Sequence, residues 1–225
     1  MSSFADLELL SLLTKSSYFI LFLPLIVGLI RFRKLDQIQV VIFFLCVLLI
    51  INDSFTLILK SRGEQNVWVY HFFVPLGFIL MFKIYSLAIE EGRKVFKYIS
   101  AVFLVFSLVN SAFFQEPPAF NSNAVIMASF AYILVSIYFF FTTIKSQSES
   151  RGDKSTMIWF NTGVLLSYSG TFVLFLFSEK ILLLNVSSEL LLAGWVLNTI
   201  LYILFEIFCL ISLCMSQKPS QMQSY

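Results

Sequence analysis

Two ionisable side chains, Asp53 and His71, lie in neighbouring apolar stretches of the chain and have the chemistry of a proton-binding pair. Asp53 falls about two helical turns before the end of its stretch, and His71 about one turn after the start of the next. A carboxylate beside an imidazole favours the charged imidazolium, which creates an element that responds to pH or to an anion. The alternative is that His71 lies at an interface while Asp53 meets water or caps a helix.

A second set of polar residues, Lys83, Tyr202 and Glu206, has the types and spacing of a coupling network. Lys83 and Glu206 carry opposite charges in apolar stretches, where an unpaired charge is costly, so we predict that they pair or share a polar network. Asn198, Tyr202 and Glu206 follow at four-residue intervals, which places them on one helix face as a polar stripe. The alternative for Lys83 is that its long stem carries the amine to the nearest polar surface.

Further polar and aromatic residues are expected at similar depth and could line a small polar cavity. Pro75 follows His71 by four residues and removes one backbone donor, which favours a kink that opens space. We predict that this cavity binds a small-molecule ligand. Hydrogen bonding between neighbouring helices is the alternative role for each side chain. The predicted lining residues are Asp53, His71, Asn110, Tyr168, Ser169, Trp195 and Asn198.

The elements that carry these residues are seven apolar stretches of about 20 residues each, separated by short charged loops. Hydrophobic residues form 59% of the chain and the mean hydropathy is +0.88. This apolar content exceeds what a water-soluble domain could bury in its core. A helix of that length spans about 30 Å and satisfies its own backbone inside a bilayer. We therefore predict an all-α polytopic membrane protein, a seven-transmembrane-helix bundle that forms a single domain over 1–225. The predicted spans are 14–32, 36–60, 68–90, 95–114, 123–145, 155–178 and 188–215.

The basic residues predict the orientation of the bundle, because Lys and Arg concentrate in cytoplasmic loops. With the amino terminus outside, ten of them fall on the inner side: Arg31, Arg33, Lys34, Arg93, Lys94, Lys97, Lys145, Arg151, Lys154 and Lys218. Four fall on the outer side: Lys15, Lys60, Arg62 and Lys180. We expect the amino terminus outside and the carboxyl terminus inside, in the cell (inner) membrane, with the lipid bilayer as the immediate partner.

Spans two and three share a pattern with spans six and seven. Val47–Leu59 and Val164–Leu176 match at six of thirteen positions, and Trp68–His71 overlays Trp195–Asn198. A 3+1+3 parallel repeat of this kind occurs in the small sugar transporters called SWEETs, so a small-solute transporter or channel is the alternative function. Chance matching among Leu, Val and Phe is the alternative origin of the pattern.

Several function classes are disfavoured by residues that the sequence lacks. The last span has no lysine for a retinal Schiff base, and His71 is the sole histidine, so neither retinal nor a metal site is expected. The segment Ser167-Tyr168-Ser169-Gly170 is similar to the Gly-x-Ser-Gly of rhomboid proteases but lacks the first glycine, so an intramembrane enzyme is only a second alternative. We expect no catalytic residues, no cofactor and no nucleic-acid partner, because no phosphate-binding glycine loop or basic arm is present.

Two stretches carry a further pattern: Trp68-Val-Tyr-His-Phe-Phe-Val-Pro-Leu-Gly-Phe and Gly194-Trp-Val-Leu-Asn-Thr-Ile-Leu-Tyr. They resemble small stand-alone bacterial seven-helix proteins that are similar to the membrane sensor part of histidine kinases. The resemblance covers two spans, and Gly77 stands where a carboxylate is expected after Pro-Leu. It implies a sensory module with a cytoplasmic signalling partner such as a histidine kinase. Our first expectation is therefore a receptor-like bundle that relays an outer or intramembrane ligand signal to that partner.

Overall fold

The computed structural model describes residues 4–89, 91–117, 119–145, 151–183 and 188–215. Side chains are described at 12, 16, 19–89, 91–117, 119–145, 155–177 and 192–215. Some of the basic residues that predict the orientation lie outside these ranges. They are Lys218 and the side chains of Lys15, Arg151, Lys154 and Lys180.

The described residues form seven α-helices and two short 3-10 segments. Their bounds are α1 Phe4–Arg31, α2 Gln37–Ser61, α3 Tyr70–Ala88, α4 Arg93–Phe113, α5 Ser122–Lys145, α6 Arg151–Leu183 and α7 Ser188–Cys214. No described residue belongs to a β-strand. The prediction of an all-α protein is therefore confirmed.

Six of these helices, α2 to α7, form segments that are long and apolar enough to cross a membrane, and the segment of α3 includes the 3-10 turn before it. The segments are Gln37–Ser61, Val67–Ala88, Arg93–Phe113, Ser122–Lys145, Ser155–Phe177 and Leu192–Cys214. They agree with the predicted second to seventh spans to within about one helical turn. The protein is thus a multi-pass helical membrane protein of the lipid bilayer. Few side chains are described in the first half of α1, and its assignment as a seventh span stays a prediction.

Local sequence determines where α2 and α4 begin. The Asp36 carboxylate accepts the backbone N–H of Gln39 while the Gln39 side chain accepts that of Asp36, a capping box that satisfies two backbone donors. Gly92 precedes α4 with φ of +90°, a left-handed conformation that glycine adopts without steric cost. Both turns lie at one end of the bundle, called the basic end here because it carries Arg33 and Lys34. The α2–α3 and α4–α5 turns lie at the opposite end.

The helices pack so that the last one closes on the first two. Helix α1 packs against α2 and α7, α2 also packs against α3 and α7, and α3 packs against α4 and α5. Helix α6 packs between α5 and α7. Helix α4 lies mainly against α3 and has few contacts with α5, so it stands at the periphery of the bundle.

A series of aromatic rings fills the space between the helices. The Phe78 ring stacks on Phe103 with ring centres 3.8 Å apart and on Phe82 at 4.3 Å. Stacked and edge-on rings of this kind stabilise a core beyond the area they bury. The series continues from Phe78 through Tyr132, Tyr168 and Phe205, and so joins α3 and α4 to α5, α6 and α7.

Helices α6 and α7 approach each other closely at two glycines. A Cβ added at Gly163 would lie 2.5 Å from Cβ of Phe208, and one added at Gly170 would meet the side chain of Leu201. Cβ of Phe208 is fixed to the backbone, so a side-chain rotation cannot relieve the first contact. Gly77 in α3 differs, because an added Cβ there has no atom within 4 Å.

We predict that Gly163→Ala lowers the free energy of unfolding by about 1–3 kcal/mol, because α6 and α7 must separate to admit the methyl group. Gly77→Ala is the matched control and should cause no loss, since alanine favours a helix over glycine. Thermal unfolding in one detergent measures both variants. Equal destabilisation by the two substitutions would contradict the close approach of α6 and α7.

Candidate functional site

His71 joins α3 to the turn between α4 and α5. Its Nε2 lies 2.9 Å from the carbonyl oxygen of Ala119, and its Nδ1 lies 2.7 Å from the hydroxyl of Ser111. Because a carbonyl only accepts, Nε2 carries a proton and donates it to Ala119, and Nδ1 shares a hydrogen bond with the hydroxyl of Ser111. The ring is buried with both nitrogens bonded. The predicted pair of His71 and Asp53 is therefore wrong, since the two side chains face different helices.

Asn110 is the centre of an amide network at the same end of the bundle. Its Nδ2 donates to Oδ1 of Asn121 at 2.8 Å and to Oε1 of Gln115 at 3.1 Å, and its Oδ1 accepts from Asn123 at 2.9 Å. Nε2 of Gln115 donates to the Ser122 hydroxyl at 2.6 Å. These bonds tie the end of α4 to the start of α5, so Asn110 has a structural role in this turn.

A second polar group joins three helices in the half of the bundle near the basic end. The hydroxyl of Tyr85 on α3 donates to Oδ1 of Asn161 on α6 at 2.6 Å and lies 2.8 Å from the hydroxyl of Ser136 on α5. Nδ2 of Asn161 donates to the carbonyl oxygen of Ser136 at 3.1 Å. All three side chains are fully buried, and their mutual bonds hold α3, α5 and α6 together. Sequence analysis did not single out these residues.

Asp53 faces α7 instead of α3. Its Oδ2 accepts from the hydroxyl of Tyr202 at 3.0 Å, and its Oδ1 accepts from Nδ2 of Asn52 at 3.0 Å. Each carboxylate oxygen thus has a donor, which offsets part of the cost of removing the group from water. Asp53 therefore extends the predicted polar stripe of α7 across to α2.

Glu206 lies one turn from Tyr202 on α7 and is only 1% exposed, yet neither of its carboxyl oxygens has a hydrogen-bond partner. The ionisable groups that interact with it are Asp53 and Cys46 on α2 and Tyr202 and Cys209 on α7. Its bonding is incomplete in either protonation state. The carboxylate lacks donors, and the carboxylic acid lacks an acceptor for its own proton. Asp53, Tyr202 and Glu206 are called the acidic cluster below.

The prediction that Lys83 and Glu206 pair or share a network is also wrong, because Lys83 is not among the groups that interact with Glu206. The Lys83 side chain is exposed and lines a groove between α3 and α4, whereas Glu206 is buried between α7 and α2. Similar depth along two helices does not make their side chains face each other. The alternative for Lys83, in which its long stem carries the amine toward the inner membrane surface, is compatible with its exposed side chain.

The other predicted cavity residues are spread over several places. Tyr168 belongs to the aromatic series, with its ring centre 4.6 Å from that of Tyr132, and Trp195 is 58% exposed on the bundle surface. Ser169 and Asn198 are partly exposed. Two grooves lie beside α4, and none of the predicted cavity residues lines either groove. Ligand binding by these residues stays a prediction.

The end of α7 is held by side chains from the other two helices beside it. The guanidinium of Arg31 on α1 donates to the carbonyl oxygens of Cys214 and Met215. Nε2 of Gln39 on α2 donates to the carbonyl oxygens of Ser212 and Met215 at 2.9 and 3.0 Å. These donors satisfy carbonyls that a helix end leaves unpaired, and the positive charge complements the negative end of the helix dipole. Helices α1, α2 and α7 are thus joined at the basic end.

Comparisons with known proteins give no match. No family model fits the sequence, and no curated protein or solved structure shows significant similarity to it. The resemblance to the membrane part of sensor kinases therefore rests on the residues of the two quoted stretches. Within the described part of the chain, no three His, Cys, Asp or Glu side chains gather as metal ligands. The acidic cluster is the arrangement on which a functional assignment can rest.

We predict that His71→Ala lowers the free energy of unfolding by about 1–3 kcal/mol, because it leaves Ala119 and Ser111 without their buried partner. His71→Gln should lose less, since the glutamine amide places a donor where Nε2 of histidine stands. Chemical unfolding of the purified protein measures both. Full stability of His71→Ala would contradict the structural role of this imidazole.

Proposed function

We propose that the protein is a receptor-like sensory membrane protein in which the acidic cluster takes up a proton or a small hydrogen-bond donor. In this proposal, α7 relays the change to a cytoplasmic partner. The observation that carries it is Glu206, a buried carboxyl group with both oxygens unpartnered. An incompletely bonded ionisable group at membrane depth costs several kcal/mol, so its presence there favours a functional role.

The contrast between the helix interfaces supports this assignment. His71 holds α3 to the α4–α5 turn, and Tyr85 holds α3 to α5 and α6, each through buried side chains whose hydrogen bonds are satisfied. The α2–α7 interface instead contains the two unpartnered oxygens of Glu206, and Asn52, which bonds to Asp53 on α2, has a further unpartnered oxygen. The other unpartnered buried atoms among the described side chains are four hydroxyls and one amide nitrogen. A second arrangement of α7 against α2 could therefore form hydrogen bonds that the present one lacks, whereas the helices joined by Tyr85 already have theirs.

The relay depends on the joined helix ends at the basic end. Glu206 lies about two turns from the end of α7, and Arg31 and Gln39 hold that end to α1 and α2. A displacement of α7 that follows binding at the acidic cluster is therefore passed to the α1–α2 turn. In this proposal the two arrangements of α7 differ in whether one carboxyl group of the acidic cluster is charged, and local charge changes of this kind drive known conformational switches.

The proposed topology has seven spans, with α1 as the first. The excess of Lys and Arg at the basic end supports a cytoplasmic location for that end, with the amino terminus outside and the carboxyl terminus inside. We place the protein in the cell (inner) membrane. A histidine kinase is the proposed kind of partner, which rests on the sequence resemblance, and the 3+1+3 repeat rests on the matched residues of spans two, three, six and seven.

A small-solute transporter is the second candidate, because carboxyl groups on two facing helices also suit a carrier that moves protons with its solute. The acidic cluster supplies Asp53 on α2 and Glu206 on α7 for such a role. The two candidates differ in whether protons or solute cross a sealed membrane. Proteoliposomes that hold a pH gradient and do not leak protons through the protein favour the receptor.

We predict that a pH titration from acidic to alkaline moves the end of α7 in the native chain and not in Glu206→Gln. Cys214 is exposed while Cys46 and Cys209 are buried, so a spin label attaches at Cys214, and Lys145→Cys on α5 supplies the second label. Pulsed electron paramagnetic resonance should show a second distance population displaced by roughly 1–5 Å. Glu206→Leu should remove this response and also raise stability by about 1–3 kcal/mol, because no buried polar group is left unsatisfied.

The matched control for this measurement is Thr199→Val. The Thr199 hydroxyl on α7 bonds to the carbonyl oxygen of its own helix at Trp195, so this variant should keep the response of the native chain. An unchanged response in Glu206→Gln would exclude the acidic cluster as the sensing element. A response lost equally in Thr199→Val would mean that the label reports general loosening of α7.

We predict that tags placed at the two chain ends lie on opposite sides of the membrane. In intact cells, a membrane-impermeant reagent should label the amino-terminal tag and spare the carboxyl-terminal tag until the cells are opened. The reason is the odd number of spans together with the basic end facing the cytoplasm. Labelling of both tags in intact cells would contradict the seven-span topology.

A further inference from the structure

An exposed lysine at membrane depth marks the groove between α3 and α4. Lys83 lies in α3 more than one turn before its end, inside a segment apolar enough to span the bilayer, and its side chain points out of the bundle. The groove holds a volume of about 240 Å³. It is lined by Ile79, Phe82, Lys83 and Ser86 of α3 and by Phe96, Lys97, Ser100, Ala101 and Leu104 of α4.

The polar and apolar parts of this groove are separated along the membrane normal. Lys97 lies one turn into α4, and Lys83 approaches the same end of the bundle from α3. Ile79 is one turn deeper than Lys83 on the same face of α3, and Ala101 and Leu104 are one and two turns deeper than Lys97 on α4. The groove therefore has a positively charged mouth near the basic end and an apolar floor toward the membrane centre.

None of the described residues that line the groove beside the two lysines is acidic. Among the residues that the structure describes, neither Lys83 nor Lys97 forms an ion pair with a carboxylate. The hydroxyls of Ser86 and Ser100 donate to the backbone carbonyls of Lys83 and Phe96 and so do not compensate the ammonium groups. An anionic group at the mouth of the groove would supply a counter-charge for these ammonium groups.

A second groove on the other side of α4 provides an internal comparison. It holds about 460 Å³, shares Phe82 and Phe96 with the first groove, and has a similar apolar floor that includes Ile99 and Leu134. The ionisable residue at its mouth is the acidic Glu91. Both grooves suit an acyl chain, and the charge at the mouth distinguishes which of them suits an anionic headgroup.

We propose that the α3–α4 groove binds one anionic phospholipid, whose phosphate contacts Lys83 and Lys97 and whose acyl chain lies over Ile79, Ala101 and Leu104. Basic pockets between membrane helices bind acidic headgroups in this way, and long lysine stems cover the apolar glycerol region. The lipid comes from the leaflet that contains the α3–α4 turn. This site is independent of the acidic cluster, because it lies on the far side of α3 from α7.

The test uses the full chain reconstituted in nanodiscs that contain phosphatidylglycerol and phosphatidylcholine, followed by native mass spectrometry of the lipid that stays bound in detergent. The native chain should retain one phosphatidylglycerol in preference to phosphatidylcholine. Lys83→Gln and Lys97→Gln should each reduce this retention about fivefold. Lys83→Arg should keep it, and Lys145→Gln, which removes an exposed charge at the same end of the bundle on α5, should leave it unchanged.

Two further arms separate a lipid site from general surface charge and from a site for a free phosphate ester. Ala101→Phe fills the apolar floor without changing charge, and its retention of phosphatidylglycerol should fall as in Lys83→Gln. Full retention of phosphatidylglycerol in Ala101→Phe would contradict binding in the groove and would mean that surface charge alone holds the lipid. Displacement of the lipid by soluble glycerol 3-phosphate would show that the groove binds a free phosphate ester and not a lipid. Equal loss of phosphatidylglycerol in Lys83→Gln and Lys145→Gln would contradict a specific site in the α3–α4 groove.

Discussion

Polar side chains carried into a bilayer must find their hydrogen-bond partners inside the protein, because the lipid around the helices offers none. This constraint accounts for most of the contacts between helices described above. Tyr85 reaches both Asn161 and Ser136, and His71 uses both of its ring nitrogens. Glu206 is the clearest departure, since a buried carboxyl group there has no partner for either oxygen. The proposed sensory role depends on that departure.

The fold followed from composition because hydrophobic length is a property of sequence alone. Each of the helices α2 to α7 has the length and apolar composition needed to cross an apolar layer of fixed thickness, so the bounds of its span could be predicted to about a turn. The contacts between helices were harder to predict from the sequence. The closure of α7 onto α1 and α2 depends on which face each helix presents, and these helices are apolar on nearly every face. Gln39 could have been suspected, because an amide so near a helix start in an apolar bundle needs a partner.

Sequence analysis found the ionisable residues of the site but paired them wrongly. Depth along a helix can be read from residue number, whereas rotation about the helix axis cannot when no polar face marks it. Asp53 and His71 have similar depth and face different neighbours, α7 and α4. The four-residue spacing of Tyr202 and Glu206 did indicate a shared face, and Asp53 joins that face from α2. Ser111 and Ser136 gave no usable signal, because a single serine in an apolar helix commonly bonds to its own backbone.

The hydrogen bonds from Arg31 and Gln39 to the last carbonyls of α7 have a mechanical consequence. The end of α1, the start of α2, the end of α7 and the turn that joins α1 to α2 form one rigid unit. Helix α7 cannot shift along its own axis alone unless four side-chain hydrogen bonds break. A small tilt of α7 near its middle then rotates this whole unit at the basic end. A protein docked against it would meet a changed surface of several side chains, Phe32 and Arg33 among them, and not a single protruding helix end.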